Sequence, residues 1–371
     1  MKLNNLRKKL ADIDRRLLAV VKDRQNLSHE IGDLKREAGL GTRDYHQETQ
    51  VVERGRAVAA ELGLSPRMVE ELLLVLIRSS LTVQEQDRVS ATGEGSGKRV
   101  LVIGGAGKMG LWMARFLASQ GYSVEIADPE GPVEGFDHVT DWKNSTLDHE
   151  VIVVAAPLRT SNEILMALAE RRPPGLVFDV GSLKSPLRAG LQALTKNGVR
   201  VTSVHPMFGP TTKLLSGRHV IFINLGHEEA VAQAREIFSP TMATLLEMDL
   251  DNHDRLIAYV LGLSHALNVI FLTALADSGE TAPRLANISS TTFDAQLAVA
   301  GSVAQDNPYL YFEIQTLNEY GSQSLDALAA SVKRFLSVVK NEDKEGFREL
   351  MERGELYFAD LAKGMKPSGL G

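Results

Sequence analysis

Apolar side chains recur along residues 3–36 in alternating steps of three and four, at Leu3, Leu6, Leu10, Ile13, Leu17 and Val20, then at Leu27, Ile31 and Leu34. This spacing predicts one long helix that packs a narrow seam against other helices. A second helical pattern spans about residues 44–62, and a third runs from Pro66, a favourable first-turn residue, to Val89. Residues 90–98, SATGEGSGK, are small and polar with no periodicity and read as a flexible linker. Beyond it the short apolar runs VLVIGG, SVEIAD, VIVVAAP, LVFDV, VRVTSVH and VIFINL alternate with helical stretches, the mark of βαβ units around a mostly parallel sheet. From about residue 250 long alanine- and leucine-rich helical patterns take over, among them LIAYVLGLSHALNVIFLTALA and LDALAASVKRFLSVVKN. The first is apolar on all sides, which predicts burial, and burial against a second copy makes a homodimer the expected assembly. The chain is therefore expected to be multi-domain: an all-α domain over 1–90, a linker over 91–98, an α/β Rossmann-type domain over 99–248 and an all-α domain over 249–371.

The seam of the first helix is broken in one place. Continuing its spacing from Val20 lands on Arg24, an arginine where the pattern reserves a buried leucine. An unpaired buried guanidinium is too costly to be filler. Ser28 and Lys35 share its face, and in the third helix the apolar row Val69, Leu73, Leu76 continues into Ser80 and Gln84. Three helices enclosing these groups would form a polar, cationic pocket suited to a small dianion. A solvated basic face with snorkelling side chains accounts for Arg7, Lys8 and Lys9 on spacing alone, but fits Arg24 poorly.

Composition narrows the partners. With 371 residues, 44% hydrophobic content and a formal net charge of −6, the chain has ample material for real cores and lacks the basic excess of a nucleic-acid binder. Small molecules are the expected partners. No membrane span or secretory leader is expected from the hydropathy pattern. The absence of cysteine excludes disulfides and thiolate metal sites, so no metal is expected and a reducing cytoplasm is the default.

The run VLVIGGAGKMG joins a predicted strand to Gly105-x-Gly107-x-x-Gly110 and then to the helical LWMARFLASQG, with a second strand ending at Asp128. Glycines for a tight turn, for close approach of a pyrophosphate and for helix–strand packing, with an acid some twenty residues on, predict a dinucleotide site. Lys108 and Met109 within the turn, and Pro157 after VIVVAA, are placed with the cofactor. Asp128 would accept from a ribose 2′-hydroxyl, and the following Pro-Glu-Gly-Pro offers no arginine for a 2′-phosphate, so NAD is favoured over NADP. Oxidation of an alcohol then needs a base. His205, delivered at a strand end and restricted by Pro206, is the candidate, with His253 and His265 weaker ones. Ser182 and Lys184 in DVGSLK follow a strand end directly and are placed on the nicotinamide side, although helix capping by Ser182 competes with that role.

The motifs IGGAGKMG, DVGSLKSPL, HPMFGP, NHDRL and NPYLY together resemble the dehydrogenase part of the bifunctional chorismate mutase/prephenate dehydrogenases of tyrosine biosynthesis, and HPMFGP is the most specific of them. Arg7, Arg24, Lys35, Asp44, Glu48, Ser80 and Gln84 fall where all-helical chorismate mutases place active-site residues. The resemblance implies rearrangement of chorismate to prephenate, with Arg24 and a partner subunit's Arg7 on the carboxylates. Lys35 and Gln84 would face the ether oxygen, and Glu48 with the Asp44 region would hold the ring hydroxyl. It further implies NAD-dependent oxidative decarboxylation of prephenate to 4-hydroxyphenylpyruvate, with His205 polarising the C4 hydroxyl. Two positions depart from the family pattern. Gln47 stands where the mutases generally carry an arginine, and residues 290–308, STTFDAQLAVAGSVAQDNP with Asp294 and Ser302, lack the usual carboxylate-binding arginine. Arg255, Arg284 and Lys213 are the alternative cations. These departures motivate two further readings: a dehydrogenase for an amino analogue such as arogenate or 4-amino-4-deoxyprephenate, and an N-terminal module that binds without catalysis.

Overall fold

The computed structural model describes residues 2–364. Three helices open the chain, α1 (Lys2–Glu37), α2 (Tyr45–Glu61) and α3 (Pro66–Thr92). Asp44 caps α2 by accepting from the Gln47 amide at 3.0 Å, and Ser65 with Pro66 opens α3. The C-terminal part of α1 packs on α3: Gln25 Nε2 donates to Ser79 Oγ at 3.1 Å, and Gly32 leaves room for Gln84. The apolar seam does not follow the sequence expectation in either part: even where α1 packs on α3, Leu27, Ile31 and Leu34 stay exposed. Leu3, Leu6, Leu10, Ile13 and Leu17 are each more than half exposed, so within one chain the seam has no helix to pack against.

The segment expected to be a flexible linker is packed. Gly95 donates its amide to the Gln120 carbonyl at 3.0 Å, and a Cβ at Gly93 or Gly95 would fall 2.6 Å from Gln120 or 2.4 Å from Tyr122. Glycine serves close approach there.

The middle of the chain comprises β1 (Arg99–Ile103), α4 (Lys108–Ser119), β2 (Ser123–Ala127), β3 (Asp137–Val139), β4 (Val151–Val154), α5 (Leu158–Arg171), β5 (Leu176–Asp179), α6 (Arg188–Lys196), β6 (Val201–Pro206), β7 (His219–Ile223), α7 (Glu228–Phe238) and β8 (Thr244–Met248). The eight strands form one sheet in the order β3-β2-β1-β4-β5-β6-β7-β8, parallel except where β6 meets β7. All six strands anticipated from the apolar runs are present; β3 and β8, both at sheet edges, were not anticipated. Side chains alternate between two cores: Leu101, Ile152 and Val177 pack under α5 and α6, while Val102, Val153 and Phe178 pack under α4 and α7.

The C-terminal helices are α8 (Leu250–Ile257), a π-helical stretch Ala258–Leu263, α9 (Ser264–Asp277), α10 (Ala282–Ala286), α11 (Thr291–Ala304), α12 (Pro308–Leu317), α13 (Gly321–Lys340) and α14 (Lys344–Gly364). Contrary to the hydropathy expectation, the continuous helix Leu250–Asp277 is long and apolar enough, at a mean hydropathy of 1.8, to meet the criterion for a membrane span. Its first turns are fixed in the sheet domain by the fully buried His253 and Asp254, and Tyr259, Val260, Leu267, Val269 and Ile270 stay exposed along it.

The mutually facing surfaces of the helical and sheet domains meet at a buried carboxylate. Glu85 of α3 accepts the Leu215 amide at 2.6 Å and the Met242 amide, and burial pushes its pKa up against the pull of those amides and Arg88. Glu85→Ala strands one buried and one part-buried donor and is expected to cost about 2–4 kcal/mol of stability, measurable by urea denaturation.

Candidate active sites

In the helical domain Arg24 is half-buried and donates from Nη1 to the Leu76 carbonyl at 2.8 Å and to Ser80 Oγ. Ser28 Oγ lies 2.9 Å from Ser80 Oγ, and burial lowers the Arg24 pKa without discharging it. The expected Arg24–Ser28–Ser80 patch is thus assembled, with the remaining guanidinium donors not engaged in side-chain hydrogen bonds among the described residues. One turn further along, Lys35 and Gln84 line a cleft with Arg36 and Arg88. Lys35 Nζ donates to the Thr42 carbonyl at 2.7 Å, while the buried Gln84 Oε1 has no protein partner. Arg88 adds a cation to this cleft that the sequence patterning missed, because it lies one turn past the row used to find Gln84. Glu48 is held elsewhere: Arg43 grips it at 2.9 and 3.0 Å, stacks 4.3 Å over Tyr45 and donates to Ser216 of the sheet domain at 2.7 Å. Asp44 is the α2 cap. Arg7 lies exposed on α1, seventeen residues before Arg24 and about 25 Å away along the same helix.

The glycine turn sits at the C-terminal end of β1, where the sheet runs outward in both directions to β2 and β4, the usual dinucleotide crevice. A Cβ on Gly110 would lie 2.1 Å from the Gly104 carbonyl oxygen, and one on Gly105 2.7 Å from Ile126 Cγ2. The first intrahelical bond of α4 runs from the Leu111 amide to Gly107, leaving the amides of Lys108, Met109 and Gly110 as first-turn donors. Asp128 accepts from the amides of Ala106 at 3.0 Å and Glu130 at 2.9 Å, and each of its oxygens retains a lone pair for a ribose hydroxyl. Pro157 starts α5 beside this crevice. The cradle therefore fits a pyrophosphate and an adenosine ribose. Gly110→Ala is expected to weaken NAD binding by about tenfold or more, on the scale of the 1–3 kcal/mol that overpacking costs, as read by a fluorescence titration with NADH.

His205 stands at the penultimate position of β6 and is 4% exposed. Its Nδ1 lies 2.8 Å from Nε2 of His253, whose Nδ1 lies 2.6 Å from Oδ1 of Asp254. Burial, with the charges of His253 and Lys184, holds His205 well below the ordinary histidine value. His253 is lowered by burial although Asp254 opposes the shift. Beneath them Lys184 is completely buried and donates to Asp179 Oδ1 at 2.8 Å and to the Val204 carbonyl at 2.9 Å, while Ser203 donates to the other Asp179 oxygen. Lys184 is thus the floor of the site, and its expected contact with substrate does not fit this arrangement. Ser182 caps no helix, and its hydroxyl makes no hydrogen bond among the described residues. His265 lies apart, its ring 4.2 Å from Tyr311 and its Nδ1 buried without a partner.

The type II chorismate mutase family model matches residues 6–85. The nucleotide-binding domain of prephenate dehydrogenase matches residues 134–247, and its dimerization domain residues 249–353. The T-protein of Enterobacter agglomerans is 27% identical over 368 residues, 97% of this chain and 94% of its own length. The chain belongs to the bifunctional chorismate mutase/prephenate dehydrogenase family. The 4-amino-4-deoxyprephenate dehydrogenase of Streptomyces pristinaespiralis is also 27% identical, over 263 residues that cover 68% of this chain and 88% of that protein. Among solved structures, prephenate dehydrogenase from A. aeolicus in complex with hydroxyphenyl propionate and NAD+ aligns at a TM-score of 0.57 and 19% identity, over 72% of this chain and 99% of that one.

Set against the mutase/dehydrogenase pattern, the two departures keep their places. Gln47 is exposed on α2. In α11, Asp294 accepts from Ser289 and Ser302 Oγ donates to the Val299 carbonyl at 2.7 Å. Arg255 donates to Asn252, Arg284 pairs with Glu280 at 2.9 Å, and Lys213 sits on the exposed loop that faces the mutase helices. None of these three cations is joined to the His205 cluster.

Proposed function

We propose that the helical domain rearranges chorismate to prephenate and that the sheet domain with its C-terminal helices converts prephenate to 4-hydroxyphenylpyruvate using NAD. The observation that carries this reading is the pairing, in one chain, of the Arg24–Ser28–Ser80 patch and the adjoining Lys35–Gln84 cleft with a buried histidine at the end of β6 beside a dinucleotide cradle. The rearrangement is pericyclic and needs no nucleophile, so positioning and electrostatics are what the helices can supply. Arg24 binds a carboxylate, and Lys35 with Gln84 faces the ether oxygen as charge develops there. Arg88 adds a further cation to the cleft that Lys35 and Gln84 line.

A nicotinamide cofactor held by the glycine turn and Asp128 would supply the hydride acceptor of the dehydrogenase site. The protein handles the proton: His205, neutral at physiological pH, takes it from the ring hydroxyl, and loss of the ring carboxylate as carbon dioxide aromatises the product. Because the folded pKa of His205 lies well below 6.5, the base stays unprotonated on descending through that value. The acid limb of the dehydrogenase kcat/KM profile is therefore expected below pH 6.5. The same depression stabilises the fold above the unfolded histidine pKa, and that contribution is lost as pH falls through the folded value.

The 36-residue length of α1 and its exposed seam support a homodimer in which α1 of each copy completes the other's helical site with Arg7. The exposed apolar stretch of the Leu250–Asp277 helix supports a second contact between copies. A cysteine-free enzyme of this class is assigned to the cytoplasm. The arginine-free α11 and the aminodeoxyprephenate relative favour one second reading, an amino analogue as dehydrogenase substrate. NADH formation on prephenate and on arogenate, run beside chorismate disappearance, tests both. Fast reduction on prephenate with chorismate consumed supports the main reading; turnover of the amino compound alone overturns it in favour of the second.

A further inference from the structure

We propose that Asp254 and His253 are positioning residues that together hold His205 with its proton on Nδ1, so that the Nε2 lone pair is the one presented to substrate. The inference deepens the reading of His205 as the dehydrogenase base and rests on it. It follows from counting donors. Asp254 sits in the middle of α8, whose cap is Asp249, so it does not cap its own helix; it receives the first amides of the turn Ser185–Leu187 that leads into α6. Its two oxygens accept the Lys184 amide at 2.9 and 3.1 Å, the Ser185 amide and the Ser185 hydroxyl. Burial pushes its pKa up, but the hydrogen bonds from His253 and Ser185 outweigh this and keep it ionised.

An ionised carboxylate has no proton to give, so at the 2.6 Å contact the donor is His253 Nδ1–H. A neutral His253 then carries its lone pair on Nε2. At the 2.8 Å contact the donor must be His205 Nδ1–H, which leaves Nε2 of His205 as the acceptor. No protein group hydrogen-bonds that Nε2 among the described residues. Besides the chain itself, the charged groups facing it are Lys184 and Asp179, and these neutralise each other at 2.8 Å.

The same chain disposes of the charge that catalysis creates. When Nε2 takes the substrate's hydroxyl proton, the O–H bond breaks and an N–H bond forms. The Nδ1 proton can then pass to His253 Nε2. His205 returns to neutrality, and the imidazolium rests on His253 beside the Asp254 carboxylate. One proton enters, one shifts, and no other co-reactant is required.

The first test needs neither substrate nor cofactor. In 15N-histidine-labelled wild-type protein at neutral pH, both rings are expected as neutral Nδ1–H tautomers in long-range 1H–15N spectra, assigned with His205→Gln and His253→Gln. A proton on His205 Nε2, or a doubly protonated ring, overturns the proposal. Kinetics supply the second test. Asp254→Asn is expected to lower kcat for NADH formation by about 10³–10⁴, the scale on which loss of such an aspartate reverses a tautomer, and to leave KM for prephenate within about threefold. Because that variant bears on folding as well, His253→Gln and His253→Leu are compared. Glutamine keeps an acceptor for His205 Nδ1–H and is expected to retain at least ten times the kcat of the leucine variant, within the 10²–10⁴-fold range of general-base effects. Equal kcat for the two variants, or an unchanged kcat in Asp254→Asn, overturns the positioning role. If wild-type protein forms no NADH from any substrate while the tautomers are as expected, the assigned reaction fails and the hydrogen-bond chain stands.

Discussion

His205→Asn is expected to abolish NADH formation from prephenate while chorismate continues to be consumed at the wild-type rate. Asparagine fits the volume at the end of β6 and can meet His253, but no asparagine atom accepts a proton near neutral pH. The loss is therefore expected at about 10²–10⁴-fold in kcat, with NAD affinity unchanged, because the glycine turn and Asp128 lie on β1, α4 and β2. A spectrophotometric assay of each activity on the same preparation decides the matter. Concurrent loss of chorismate consumption would mean that the two sites are not separable.

Arg24→Ala is expected to do the converse. It removes the half-buried guanidinium of the Arg24–Ser28–Ser80 patch, while the Ser28–Ser80 contact at 2.9 Å and the Gln25–Ser79 bond at 3.1 Å still join α1 to α3. A preorganised charge of this kind supports a loss of about 10²–10³ in the mutase kcat/KM. NADH formation from supplied prephenate should not change. Arg24→Lys separates charge from geometry: an ammonium restores the charge but cannot bond Leu76, Ser80 and a carboxylate from one planar fork, so only partial rescue is expected. Full mutase activity in Arg24→Ala, assayed by chorismate absorbance, would remove Arg24 from catalysis, whereas wild-type protein that leaves chorismate unconsumed would leave the helical domain as a binding or dimerization module.

Much of both sites could be read along the chain, because local spacing carried it. The glycine turn, its preceding strand and Asp128 occupy one continuous βαβ unit, and HPMFGP locks His205 to a strand end by backbone restriction alone. Arg24 stood out as a charge in an apolar row. The residues that were misplaced or missed depend on pairings remote in sequence. Lys184 follows a strand end as a ligand-binding residue might, but Asp179 lies below it and Val204 beside it, so its ammonium is consumed in the interior. Asp254 was overlooked within NHDRL, although a histidine followed at once by an acid in a helix was the available signal. Glu48 looked free until the fold put Arg43 against it. The strands β3 and β8 escaped because they are short or half-exposed edge strands without an apolar run.

By itself the sequence determined the succession of helical, sheet and helical segments, the six strands that carry apolar runs, the glycine turn with Asp128, and the residues to be weighed as chemical centres. These follow from periodicity, glycine placement and residue type, all local properties. The tertiary structure decided which charges are spent internally and which remain to act. It turned His253 and Asp254 from loose candidates into a hydrogen-bonded chain behind His205, packed the glycine segment 93–98 against the sheet domain, and left the apolar seam of α1 without a partner in its own chain. Those outcomes depend on burial and on contacts between residues distant in sequence. Charge–charge distance and desolvation, which set a side chain's protonation and role, are properties of the folded chain.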